Sequence, residues 1–80
     1  MVKIIFTPNF NKHFKKINNK LEKEKIIKQI SKIKNNPEMG KPMRYERKKT
    51  RETYISPYRL AYALIKNKIY ILDIYHKDRQ

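Results

Sequence analysis

The chain has no cysteine, no tryptophan and a single glycine. Without cysteine there is neither a disulfide framework nor a thiolate metal site, and two histidines without clustered carboxylates make a poor zinc set. The chemistry expected of such a chain is metal-free and uses no small-molecule cofactor. Acidic residues are also scarce: 7 Asp and Glu stand against 21 Lys and Arg, a formal net charge of +14. Long apolar runs are missing, since none approaches the roughly 18 residues of a membrane span. The opening MVKIIF is broken by Thr7-Pro8 too early to form a signal peptide. A cytoplasmic setting away from membranes is expected.

Eighty residues give room for one domain, 1–80, with a single sheet packed on a pair of helices. Hydrophobic residues make up 39% of the chain and recur in periodic clusters. The low mean hydropathy of −0.93 therefore reflects lysine-rich surfaces rather than a missing core. The strong positive field attracts polyanions, nucleic acid first. Abundant Lys, Ile and Asn also follow from an AT-rich genome, so lysine count alone does not decide. Arginine placement says more: Arg44, Arg47, Arg51, Arg59 and Arg79 all fall in the second half. A guanidinium grips phosphate through two parallel hydrogen bonds, so a phosphate-reading face is expected within residues 44 to 79.

The fold expected is α+β: an N-terminal strand, a two-helix hairpin, then a mainly antiparallel sheet of about three to four further strands. Residues 2–6, VKIIF, read as a short strand. Thr7 can cap a helix with Pro8 at its first position. Phe10, Phe14, Ile17 and Leu21 form one apolar stripe, and a break at Asn18-Asn19 reverses the chain. Leu21, Ile26, Ile30 and Ile33, with Ile27 beside them, form a second stripe that must end before Pro37. His13 lies beside the first stripe with no ionisable partner evident nearby, as boundary histidines often do. Gly40, in NPEMGKP, marks the connection between helices and sheet.

In MRYERKKTRETYIS, Met43, Tyr45, Arg47 and Lys49 alternate with Arg44, Glu46 and Lys48, and a turn near Lys49-Thr50-Arg51 would make a hairpin. Two readings are open. One is a solvated edge strand whose lysines prevent aggregation. The other is nucleic-acid contact through interleaved tyrosines and cations, with Arg44, Arg47, Lys48, Lys49 and Arg51 as the binding residues.

YRLAYALI and IYILDIYH are apolar on both faces and read as central strands. A two-residue loop within Lys66-Asn67-Lys68 sets Arg59 across from Ile74 or His76, putting Arg59 and His76 on one face. A three-residue loop would pair Arg59 with Tyr75 instead. Small Ala61 and Ala63 beside Arg59 leave space for a helix or a ligand.

With these residues read, GKPMRYERK and YISPYRLAYALIKNKIYILDIYHKDR resemble the RelE/ParE superfamily of type II toxins across essentially the whole chain. The superfamily's tyrosine-arginine-apolar-x-tyrosine strand is similar to Tyr58-Arg59-Leu60-Ala61-Tyr62. Its final strand, running into a basic cluster, is similar to His76-Lys77 with Arg79 beyond. The resemblance implies a microbial-RNase-like sheet and, in the RelE branch, ribosome-dependent cleavage of mRNA in the A site. It implies catalytic roles for Arg59 and Arg79 as phosphate clamps, His76 as acid or base, Lys77 as a second cation, and Tyr54 with Arg51 beside the cleft. Glu52 and Thr50 stand where ribosome-dependent relatives carry lysines, with Lys48, Lys49 and Arg51 close by. The sequence ends at Gln80, short of the terminal tyrosine segment of RelE-like members, so Tyr54 or Tyr75 is the candidate replacement.

Structural readings stand beside these. Arg59 can serve as a scaffold ion pair with Asp73 or Glu52, Tyr58 and Tyr62 as core, and His76 as a strand end at solvent. Three functions follow: a translation-inhibiting endoribonuclease, a ParE-like gyrase-binding poison, or a nucleic-acid-binding relative without activity. The partners implied are a cognate acidic antitoxin and, for the first function, ribosome and mRNA.

Overall fold

Thr7 ends one element and begins the next in the computed structural model, which describes residues 3–42 and 50–76. Strand β1 (Lys3–Phe6) leads into helix α1 (Pro8–Lys15) through Thr7. The Thr7 backbone is extended, its hydroxyl oxygen accepts from the Phe10 N–H, and Pro8 fills the first helical position. Helix α2 (Lys20–Asn35) starts in the same way, with the Asn19 side chain accepting from the Glu22 N–H at 3.1 Å.

Ile26, Ile30 and Ile33 form the buried stripe of α2, and Phe10 and Ile17 come in from the first helix and the connector. Leu21 does not join either stripe and is 69% exposed. Helix α1 ends at Lys15, so the first stripe stops before Leu21. In α2 it precedes Ile26 by five residues, about 140° round the helix at 3.6 residues per turn. Ile27 is exposed as well.

The remaining elements are strands β2 (Lys41–Pro42), β3 (Thr50–Ile55), β4 (Tyr58–Ile65) and β5 (Lys68–His76). They form a five-stranded sheet in the order β1-β5-β4-β3-β2, with β1 parallel to β5 and every other pair antiparallel. The α+β class and its element order are as expected, and β4 and β5 are inner strands, as is β3. Thr7 ties the layers together: its Oγ1 lies 2.8 Å from the carbonyl oxygens of both Ile71 and Leu72, which share its proton.

One sheet face packs on the helices. Leu60, Tyr62, Ile69, Ile71 and Ile74 meet Phe10, Ile17, Ile26, Ile30 and Ile33 there. Tyr62 is wholly buried yet satisfied, accepting from the Gly40 N–H at 2.9 Å and donating to the Pro37 carbonyl at 2.8 Å. Gly40 is needed for this approach, because a Cβ there would sit 2.6 Å from the Tyr62 hydroxyl oxygen.

Two connections set the register. The reversal expected near Lys49-Thr50-Arg51 is not there for the described part: Thr50 and Arg51 are β3 residues facing Ala63 and Tyr62. Strands β2 and β3 do pair antiparallel, with Pro42 facing Arg51, and the residues that join them lie outside the described ones; the turn from β3 to β4 is at Ser56-Pro57, a cis peptide. Between β4 and β5 the turn is the two-residue Lys66-Asn67, both at positive φ (47° and 65°), as a type I′ hairpin requires. Pairing then runs from Ile65↔Lys68 to Tyr62↔Ile71, where Leu72 enters as an extra residue and the next pair is Ala61↔Asp73. This bulge overturns the expected consequence of a two-residue loop: Arg59 faces Tyr75, and Tyr58 faces His76. No helix among the described residues is long and apolar enough to cross a membrane.

Candidate active face

The sheet surface away from the helices gathers residues by register. Tyr54, Arg59 and Tyr75 make one row across β3, β4 and β5, and Glu52, Ala61 and Asp73 make the next. Neighbouring strands lie about 4.8 Å apart, so side chains in these rows and on their diagonals can touch. Three of them do. Arg59 Nη1 donates to Glu52 Oε1 at 2.7 Å, and the Tyr75 hydroxyl donates to Glu52 Oε2 in a short hydrogen bond. Of the alternatives open in the sequence, Arg59 therefore pairs with Glu52 and not Asp73.

The electrostatics follow from that carboxylate. Burial and the hydrogen bond to Glu52 push the Tyr75 phenol up to about 12. The Glu52 hydrogen bond likewise raises Arg59, so its guanidinium stays charged. Arg59 Nε is buried without an acceptor among the described residues. A donor left in this way is costly, and an arriving anion would relieve it.

Beside the cluster lies an open groove of about 520 Å³. Ala61 and Leu72 line it from the sheet, Asn9 from the start of α1, and Thr50, Asp73 and Tyr75 at its sides. Asp73 reaches α1, where His13 Nδ1 lies 2.6 Å from Asp73 Oδ1. The ionisable partner that His13 lacked in the sequence is thus 60 residues away.

The other expected site residues are dispersed. His76 follows Ile74 onto the helical side, where its ring meets Tyr58 edge-on with centroids 5.8 Å apart. Tyr58 in turn donates to Glu22 at 3.0 Å, and burial with that carboxylate raises its pKa. Arg51 also turns toward the helices: its Nη1 donates to the Glu38 and Gly40 carbonyls at 3.1 and 2.7 Å, holding the segment after α2. Tyr54 stays on the open face, more than half exposed, near Ser56. Arg44, Arg47, Lys48, Lys49, Lys77 and Arg79 lie outside the described residues. Sequence reasoning missed Glu52 as a member of the site, and gave Tyr75 only as a stand-in. The one signal that could have found them is the register: the β3–β4 pairing sets Glu52 diagonal to Arg59, and the bulge in β5 sets Tyr75 across from it.

The sheet thus has one side against the helices and one open side that carries a cation, a carboxylate and a phenol. Residues 4–80 match the family model of the ParE toxin of the type II toxin–antitoxin system parDE. The chain belongs to this toxin family, within the RelE/ParE superfamily. Among solved structures it is similar to the isolated RelE toxin of E. coli (TM-score 0.81, 19% identity, covering 100% of this chain and 88% of that one). It is similar to the YoeB/ParE toxin from Agrobacterium tumefaciens (TM-score 0.81, 14% identity, 94% and 98% covered). The YoeB–YefM complex from Staphylococcus aureus is a third likeness (TM-score 0.78, 22% identity, 95% and 98% covered). No curated protein matches.

Proposed function

We propose that this type II toxin is a metal-free endoribonuclease that cuts mRNA at the ribosome in the cytoplasm, using the open face of its sheet. The observation that supports it is the cluster of Glu52, Arg59 and Tyr75 within hydrogen-bonding reach on one face. Cleavage by RNA's own 2′-OH calls for a base, an acid and a cation at the phosphate. Glu52 takes the 2′-OH proton as O2′ bonds to phosphorus. The P–O5′ bond breaks, and Tyr75 gives its proton to O5′. The products are a 2′,3′-cyclic phosphate and a 5′-hydroxyl end, and Tyr75 regains a proton from Glu52 through their hydrogen bond.

The Tyr75 phenol is protonated at neutral pH and so carries the proton that the alkoxide leaving group takes. Arg59 turns from Glu52 to the phosphoryl oxygens, where its Nε gains an acceptor. Lys77 and Arg79 are proposed as further cations, and Arg44, Arg47, Lys48 and Lys49 as contacts to the RNA backbone. The partner outside action is a cognate acidic antitoxin attracted by the +14 surface; the similarity to the YoeB toxin in its complex with YefM supports this.

The second reading, a gyrase-binding poison, is favoured by the ParE family match and by the Arg59–Glu52 pair, which neutralises the site when empty. Purified protein added to an in-vitro translation reaction separates the two, with 5′ ends mapped by primer extension. New ends inside A-site codons that vanish with Arg59→Ala support the nuclease. Intact message with blocked gyrase supercoiling supports the poison, and neither effect points to a relative that only binds nucleic acid.

A further inference from the structure

The bulge at Leu72 decides which side chains of β5 reach the open face. Strict alternation from Ile71, which faces the helices, would send Asp73 and Tyr75 to the helical side and leave Ile74 outside. The extra residue reverses this: Ile74 is buried, and Asp73 and Tyr75 join the rows of Glu52 and Arg59. Keeping a carboxylate out of the core favours the bulge. It does not hold the bulge in shape, because the ladder is interrupted there and main-chain groups must find other partners.

Those partners come from one short stretch of chain. Strand β1 pairs with β5 only as far as Phe6↔Ile71, and beyond it Thr7 and α1 take over that edge of β5. The Thr7 N–H donates to the Ile71 carbonyl at 3.2 Å, and its hydroxyl lies 2.8 Å from the carbonyl oxygens of Ile71 and Leu72. Six residues on, His13 Nδ1 lies 2.6 Å from Asp73 Oδ1, which also accepts from the Ile74 N–H at 2.7 Å. An ionised carboxylate only accepts, so Nδ1 carries the proton.

We propose that Thr7 and His13 clamp the bulge of β5 and so position Tyr75 against Glu52 and Arg59. This rests on the nuclease reading above, in which Tyr75 is the acid. Both act through the bulge rather than on the RNA, which makes them positioning residues. Asp73 and Tyr75 are two places apart on one side of the strand, so what pins the first pins the second. The Tyr75 hydroxyl must reach across β4 to Glu52 on β3, and a displacement of about 1 Å is enough to misplace a reacting group. As a partly exposed ion pair, His13–Asp73 adds little to stability, so its loss should show in the geometry of Tyr75 before it shows in unfolding.

The test follows the Tyr75 phenol in full-length protein with ring-¹³C-labelled tyrosine through an alkaline titration. His13→Leu removes the donor, and His13→Asn returns an N–H close to the place of Nδ1. In His13→Leu the Tyr75 midpoint should fall from about 12 toward its ordinary value as the contact with Glu52 loosens, and His13→Asn should restore it. The Tyr58 midpoint, set by burial and Glu22 at another part of the sheet, should stay put and report an intact fold. In the translation reaction, His13→Leu should lower kcat about tenfold or more with KM nearly unchanged, and His13→Asn should regain it. A Tyr75 midpoint unchanged in His13→Leu, or one that falls together with that of Tyr58, would overturn the clamp. A midpoint that moves as expected in a protein that leaves mRNA intact would uphold the clamp and sink the nuclease reading instead.

Discussion

Arg59 lies across from Tyr75 in the β4–β5 ladder, and one residue earlier Tyr58 lies across from His76. A single extra residue, Leu72, produces this pairing, because it shifts every β5 residue after it by one place relative to β4. The shift brings a phenol beside the guanidinium and sends the imidazole to the helical side. In the proposed reaction Tyr75 is therefore the acid, and His76, expected as acid or base, lies on the other side of the sheet.

Glu52 sets the chemistry of both its neighbours. In Glu52→Gln the charged acceptor is gone while burial remains, so the Tyr75 phenol should move down from about 12 toward its ordinary value without reaching it. Ring ¹³C shifts of labelled tyrosines followed through an alkaline titration measure this. A Tyr75 midpoint unchanged in Glu52→Gln would make burial the whole cause.

The same shift has a consequence for stability. A folded pKa raised above the unfolded value of about 10 stabilises the fold fully below pH 10, and that contribution is lost as pH rises through about 12. Urea midpoints of the wild type should therefore fall more steeply between pH 10 and 12 than those of Tyr75→Phe. Comparing the two proteins cancels the titration of lysines and of the other raised phenols, Tyr58 and Tyr62. Parallel curves would contradict the prediction.

Gly40→Ala places a methyl 2.6 Å from the Tyr62 hydroxyl oxygen and 3.0 Å from the Glu52 carbonyl oxygen. A loss of about 1–3 kcal/mol is expected from urea denaturation. Tyr62→Phe removes the nearest clashing atom but also the hydrogen bonds to Gly40 and Pro37. The double variant should therefore lose less than the sum of the two single losses. Simple additivity would show that the contact between the two residues does not set the cost.

Lys66 is a poor residue for the first position of a type I′ turn, where its φ is 47°. Lys66→Asn should raise the urea midpoint, by up to about 1 kcal/mol, with no effect on activity. A fall in stability would mean that the turn is not of this type.

The strong periodic signals were legible in the sequence. Ile26, Ile30 and Ile33 announced the buried face of α2, Thr7-Pro8 announced its own cap, and the doubly apolar β4 and β5 announced inner strands. Even the two-residue turn was among the loops anticipated. Leu21 was misread because alternative stripes share the residues near a helix junction, and only the true end of α1 at Lys15 decides between them. The site was less legible for a related reason. A bulge leaves no mark on an apolar strand such as IYILDIYH, where either register buries isoleucines, so the partner of Arg59 could not be fixed. The pairing of His13 with Asp73 spans 60 residues and rests on the helix lying against β5, which no local pattern reveals. Arg51 drew notice as a charge on a basic strand, whereas its hydrogen bonds go to two main-chain carbonyls that exist only once the chain leaves α2.

The most direct measurement compares Tyr75→Phe with His76→Gln in the translation reaction, scoring the rate at which new 5′ ends appear in the message. The open-face mechanism predicts that Tyr75→Phe slows cutting by about 10²–10⁴-fold, the usual contribution of a positioned acid, while His76→Gln cuts at the wild-type rate. Cutting that survives Tyr75→Phe and is lost in His76→Gln would contradict it and return the chemistry to the strand's helical side.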